Sequence, residues 1–147
     1  MSNKGEQSEA WPTTGPIVSL PAAFEDARGV IQTLVDGGVQ SVQIITSKAN
    51  TVRANHYHKT DSHYMYVLKG TMKYVHRAAG DTSAPSWLLV KEGQLVYTPP
   101  LVEHAVEFLE DSAFLNITGK PRDQSSYEDD LVRVDLYKSA GNPEPGE

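Results

Sequence analysis

A chain of 147 residues with 39% hydrophobic and 22% charged side chains has the make-up of one globular domain long enough to enclose a core. Its formal charge of −6 argues against nucleic acid or an anionic membrane surface as a partner, since both select basic patches. The lack of cysteine excludes disulfides, thiolate ligands and a cysteine nucleophile. With no apolar run of spanning length and no signal-peptide-like start, it points to the cytoplasm.

The first 16 residues are polar, carry Pro12, Gly15 and Pro16, and read as an arm. A short helix is expected around Pro21 to Ala27. From there the chain shows short runs of β-branched and aromatic residues cut by turn signals: GVIQTLVD, VQSVQIIT, TVRANHYH, HYMYVLKG, TMKYVHR, WLLVKEG, LVYTP, HAVEFLE, AFLNITG and LVRVDLY. Asp36-Gly37-Gly38 is placed as a hairpin turn between the first two. The acidic group Glu128, Asp129 and Asp130 reads as a solvated loop before the last run. The final ten residues, KSAGNPEPGE, have the composition of a flexible tail. This division gives an arm over 1–16, one all-β domain over 17–137 and a tail over 138–147, and the strand spacing indicates a sandwich or barrel.

Three of the five histidines fall within RANHYHKTDSH. On strand TVRANHYH, His56 and His58 share a face because strand side chains alternate, and their Cα atoms stand about 7 Å apart. His63 opens the next strand and sends Met65 and Val67 to the same interior, with Tyr64 and Tyr66 on the other face. His104 follows Pro99-Pro100 at the start of a later strand. Neutral imidazoles converging from these strands form a borderline ligand set suited to zinc, nickel or iron. His76 lies outside the set and is expected at the surface or partly buried. By alternation Val106 and Phe108 line the same cavity, and Trp87, Tyr97 and Phe114 are added as wall candidates. Such an apolar wall favours a carbonyl-bearing or aromatic ligand over a free sugar. Tyr57 and Tyr74 are candidate proton donors with no assigned face.

The pattern resembles the two motifs of the cupin superfamily, small jelly-roll barrels that hold one metal at the barrel centre. His56-x-His58, four residues, His63, six residues and Gly70 match the first motif; Gly93, Pro99 and His104 match the second. His63 stands where most cupins have glutamate, Asn50 and Leu101 stand where glycine is usual, and Phe108 stands where asparagine is usual. The resemblance implies an all-β cupin jelly-roll barrel of one domain, with His56, His58, His63 and His104 holding one divalent ion. It further implies a small-molecule substrate and a homodimer. A four-histidine shell is similar to that of the small cupin cyclases of aromatic polyketide pathways. The implied activity is proton abstraction from a small keto or polyketide-like substrate by a cyclase or isomerase, with metal-bound water as the base. An iron-dependent dioxygenase of a diketone or phenol, and a non-catalytic ligand-binding cupin, are the alternatives. Asp26-Ala27-Arg28-Gly29 looks like the Asp-x-Arg-Gly segment of cupins that epimerise or isomerise nucleotide sugars, and a turn before a strand accounts for it equally.

Overall fold

The computed structural model describes residues 15–121 and 123–138; most of the expected arm and all but the first residue of the expected tail lie outside them. Among the described residues eleven strands and one helix follow in order. They are β1 (Phe24–Asp26), β2 (Gly29–Ile31), β3 (Ser41–Ser47), β4 (Thr51–His58), β5 (His63–Lys69), β6 (Thr71–Ala78), β7 (Ser86–Lys91) and β8 (Leu95–Thr98). Then come β9 (Val102–Phe108), β10 (Ser112–Thr118), α1 (Gln124–Asp130) and β11 (Leu131–Arg133). No helix among the described residues is long and apolar enough to cross a membrane.

Two antiparallel sheets carry the fold, one ordered β3-β10-β5-β8 and the other β11-β4-β9-β6-β7. They face one another as a jelly roll rather than closing into a single hydrogen-bonded ring. Between them sits a core in which Val67, Met72, Val90, Val96 and Phe108 are fully buried. Each such side chain contributes roughly 1.5–3 kcal/mol by leaving water. Phe108 stacks on Phe114 with centroids 5.9 Å apart, joining the two sheets. Tyr74, also buried here, bonds Thr98 at 2.7 Å between hydroxyls, and burial pushes its phenol up to about 12 against the smaller opposing effect of that bond.

Gly70 turns the chain from β5 into β6 at φ 95°, and a Cβ there would sit 2.1 Å from Ser112 Oγ and 2.9 Å from the Asp111 carbonyl. Only glycine meets both the left-handed backbone and the close approach.

The N-terminal stretch departs from expectation. No helix forms at Pro21 to Ala27; β1 and β2 make a small separate hairpin instead, with Asp26 facing Gly29 across the turn. Arg28 donates its N–H to Asp26 Oδ1 at 2.9 Å, so Asp26-Ala27-Arg28-Gly29 is a turn. The run GVIQTLVD is a strand only over Gly29–Ile31, and Asp36-Gly37-Gly38 does not close a hairpin. The strand after it, β3, pairs with β10 instead.

Part of the outer face of the five-stranded sheet is covered by the segment that follows β11. Leu136 and Tyr137 pack on Val52, Val75 and Ala105. Tyr137 donates to Glu107 Oε1 at 2.6 Å and accepts from Lys73 Nζ at 3.2 Å. Lys73 Nζ also lies 4.6 Å above the Trp87 ring.

Candidate metal centre

The histidines reach the interior because β4 carries a bulge. Arg53 pairs with Val106 and Ala54 with Ala105, but the next pair is His56 with His104, so Asn55 is an extra residue. Ala54 and Asn55 both hold positive φ, at 75° and 56°. Had alternation run unbroken through Asn55, His56 would lie on the same face as Val52, outside the cavity. Asn55 stabilises the irregularity: its Oδ1 accepts from Tyr137 N at 2.9 Å and Leu136 N at 3.2 Å, and its Nδ2 donates to the Tyr137 carbonyl at 3.2 Å.

The result is a cluster of four buried imidazoles, with His56, His58, His63 and His104 between 1% and 7% exposed. Ligand-capable atoms of His56, His58 and His104 lie within 4.8 Å of one another. His63, from the opposite sheet, brings its Nε2 to 3.4 Å from Nε2 of His104. Bonds of about 2.1 Å at a tetrahedral angle put two ligand nitrogens about 3.4 Å apart, so this pair has the spacing of one coordination edge. His104 Nδ1 is 3.0 Å from the Val102 carbonyl. A carbonyl only accepts, so Nδ1 carries the hydrogen and Nε2 keeps its lone pair toward His63. The donor set fits a divalent ion of the zinc, nickel or iron type.

Asp130 supports the cluster from outside. Its Oδ2 lies 3.3 Å from His58 Nδ1 and accepts from Asp61 N at 3.0 Å. Its Oδ1 accepts from the Thr60 amide at 2.9 Å and hydroxyl at 2.6 Å. Burial would raise this carboxyl, but the bonds from Thr60 and Asp61, with the nearby His58, outweigh it and hold it below its ordinary value. The acidic segment expected as a solvated loop is therefore α1, and its last residue stands beside a histidine of the cluster. Asp123 caps that helix by accepting from Ser126 N at 3.2 Å.

The four histidines open onto a cavity of about 260 Å³. Met65, Val106, Phe108 and Phe114 line it. Three expected wall residues do not. Val67 is fully buried in the core, Trp87 is 58% exposed on the outer face against Lys73, and Tyr97 packs on Tyr64 with centroids 4.8 Å apart. Side chains the sequence reading missed take their places: Gln43, Arg53, Asn116, Tyr127 and Arg133. The wall is thus part apolar and part polar. Tyr127 is the one tyrosine among the lining residues, with its ring 6.3 Å from His56 and 6.0 Å from His58. Tyr74 is committed to Thr98, and Tyr57 pairs with Val132 on the neighbouring strand. His76 lies in register with His104 yet outside the cluster, half-buried, and burial lowers its pKa. The period-two pattern could have found Asn116, two residues from Phe114, and Gln43, two from Ile45. Nothing local announces that α1 reaches the histidines.

Two facing antiparallel sheets enclosing a histidine cluster define a jelly-roll protein with a candidate metal centre. The sequence matches the cupin domain family over residues 43–117, about half of the chain, and the protein belongs to the cupins. Among solved structures it is similar to QdtA, a sugar 3,4-ketoisomerase from Thermoanaerobacterium thermosaccharolyticum in complex with TDP. The TM-score is 0.62 at 18% identity, over 76% of this chain and 82% of that one. It is also similar to ChmJ, a 3'-monoepimerase from Streptomyces bikiniensis in complex with dTDP-quinovose, with TM-score 0.64, 15% identity and coverage of 80% and 68%. A third is dTDP-4-dehydrorhamnose 3,5-epimerase from Sulfolobus tokodaii, with TM-score 0.60, 17% identity and coverage of 78% and 74%. At these identities the likeness is one of fold. No curated protein sequence matches the chain.

Proposed function

We propose that this cupin is a metal-dependent isomerase or cyclase that moves a proton next to the carbonyl of a small keto or polyketide-like substrate. The observation that carries the reading is the 3.4 Å approach of His63 Nε2 to His104 Nε2 beside His56 and His58, in the lining of the cavity. An ion held by these four side chains would supply a Lewis acid for a carbonyl oxygen and would lower the pKa of bound water toward about 7. The solved relatives of this fold include a ketoisomerase and epimerases, which gives the isomerase class its support.

The chain's own groups have distinct tasks in this reading. Met65, Val106, Phe108 and Phe114 give the cavity an apolar wall, which strengthens charge interactions beside it. Tyr127, over His56 and His58, offers a phenol that holds or returns a proton. The reaction needs no oxidant: a proton leaves the carbon beside the carbonyl, the electron pair stays as an enolate, and a proton returns to a neighbouring atom or the opposite face. The homodimer stays within the reading, supported by Val42 and Ile44, which are exposed on edge strand β3. The same reading places the protein in the cytoplasm.

The test is elemental analysis of untagged protein purified anaerobically without added metal, followed by NMR of keto compounds in heavy water. Near-stoichiometric zinc, nickel or iron with deuterium entering beside the carbonyl supports the reading. Oxygen uptake with a diketone or phenol would replace it by the dioxygenase, and tight binding without exchange under any metal would replace it by a binding cupin.

A further inference from the structure

We propose that Arg53 is a carboxylate-binding subsite of the cavity, and that the substrate is a small keto acid whose carboxylate stands several bonds from the reacting carbonyl. The ketone half of the proposal rests on the enzyme reading above, and the anion half is separable from it.

Charge in the cavity runs against the charge of the chain. The protein carries a formal −6, yet among the described residues no aspartate or glutamate lines the cavity. Besides the histidines its charged side chains are Arg53 and Arg133. A divalent ion on four neutral imidazoles would add two more positive charges. A cleft of one sign concentrates small ligands of the other.

The two arginines differ. Arg133, the register partner of His56, is neutralised by Glu128, with Nη2 3.2 Å from Oε2. Arg53 is held by neutral acceptors: Nε donates to Ser47 Oγ at 2.7 Å and Nη2 to the Thr46 carbonyl at 3.1 Å. These bonds reach from β4 to β3, fix the guanidinium, and make no use of Nη1. The group lies on the inner side. Arg53 faces Val106 across the β4–β9 ladder, and Ser47 is two residues from Ile45 on β3; Val106 and Ile45 both line the cavity. Arg53 is also exposed, so a solute reaches it. Asp111 belongs to the neighbouring groove, which it shares with Lys48 and Lys69, and accepts the Ala49 N–H at 2.9 Å.

The chemistry of the ligand follows. A guanidinium keeps its charge at any physiological pH, and its flat fork matches a carboxylate with paired N–H donors. One uncompensated cation suits one monoanionic group. Val106 is two residues from His104, so Arg53 leaves its strand one inward-facing step, about 7 Å, from the histidine row. The carboxylate therefore sits apart from the ion rather than on it. A cavity of about 260 Å³ falls below the roughly 300–1,000 Å³ of drug-sized sites, which keeps the acid short.

The test is ligand-observed NMR titration of zinc-loaded and metal-free protein with 5-oxohexanoate and with 5-oxohexanamide, its neutral analogue of equal length. The acid is expected to bind roughly tenfold to a hundredfold tighter, the worth of a hydrogen bond to a charged group. Arg53→Gln is expected to bring the acid down to the affinity of the amide while zinc content holds. Arg53→Lys, which keeps the charge and loses the fork, should show an intermediate preference. Equal affinity in the parent, or a preference undiminished in Arg53→Gln, overturns the subsite and leaves the metal reading standing. Stronger competition by inorganic phosphate than by acetate overturns the carboxylate assignment in favour of a phosphate ester. A parent that holds no zinc yet keeps an Arg53-dependent preference overturns the enzyme reading and leaves the subsite in place.

Discussion

Asn55 Oδ1 accepts the backbone N–H of Tyr137 at 2.9 Å, so the bulge that turns two histidines inward is tied to the far end of the described chain. The same side chain holds Leu136 and the Tyr137 carbonyl. Asn55 sits at φ 56°, a conformation that asparagine accepts more readily than alanine. Asn55→Ala loses three hydrogen bonds and adds backbone strain. It should cost about 2–4 kcal/mol in urea unfolding. Metal affinity should fall with it, because His56 loses its fixed phase on β4. A variant with parent-like stability and metal content would show that the bulge holds without this clamp.

His58→Ala should abolish metal retention while the far-UV circular dichroism stays that of the parent, since the core between Val67 and Phe108 does not include His58. His63→Glu should keep near-stoichiometric metal, because a carboxylate occupies that place in most cupins and the residue faces His104 directly. Metal binding by His58→Ala as tight as the parent's would remove His58 from the ligand set.

Asp130→Asn tests the support behind His58. The carboxylate takes donors from Thr60 and Asp61 and lies 3.3 Å from His58 Nδ1, whereas an amide must turn its NH₂ toward at least one donor. Metal affinity in a chelator competition should fall roughly tenfold to a hundredfold, the usual loss when a carboxylate behind a ligating histidine is removed. An unchanged affinity would make Asp130 a cap for the Thr60 turn and nothing more.

How much of this was legible beforehand depends on how local each cause is. Left-handed positions were partly visible: Asn50 and Leu101 stand where related motifs carry glycine, and both hold positive φ, 67° and 64°. Gly70 was visible as a motif residue, while its reason, the Ser112 side chain underneath, comes from another strand. The phase of His56 and His58 relative to each other follows from period two, but their inward facing depends on Asn55, whose bonds reach Leu136 and Tyr137. Trp87 was misplaced because an aromatic on a barrel strand has two faces to choose from, and Lys73 with Tyr137 made the outer one favourable. The polar half of the cavity was hidden by the same ambiguity.

The alkaline limb of stability should report Tyr137. Burial, reinforced by the adjacent Glu107 carboxylate that accepts its hydrogen bond, pushes its phenol from 10.0 up to about 12. A pKa raised in the folded state means the neutral phenol is favoured there, so the contribution is complete below pH 10 and is lost as pH climbs from 10 through about 12. Lys73 Nζ faces the same hydroxyl at 3.2 Å. Tyr137→Phe should lower stability at pH 9 by about 1–2 kcal/mol and make the decline above pH 10 shallower. The remaining slope belongs in part to Tyr74, raised to about 12 in the core. An unchanged slope in urea titrations at successive pH values would show that the Tyr137–Glu107 bond does not form.

Leu101 offers the reverse experiment, a gain. It holds φ 64° directly after Pro99-Pro100, and its side chain is 54% exposed. Its backbone is committed on both sides: the N–H donates to the His58 carbonyl at 2.8 Å, and its own carbonyl accepts from Ala79 N at 3.0 Å. Those bonds fix the left-handed turn whatever residue stands there. An L side chain in that region costs about 1–2 kcal/mol, while glycine brings a greater loss of backbone freedom on folding, about 0.5–1 kcal/mol. The difference leaves Leu101→Gly more stable by up to about 1.5 kcal/mol. Because the turn carries the His58 carbonyl on one side and leads into His104 on the other, relieving it should leave metal content unchanged while the melting temperature rises. A fall in melting temperature would mean that the leucine side chain is covered in solution, and light scattering at the same concentration would show whether a second copy covers it.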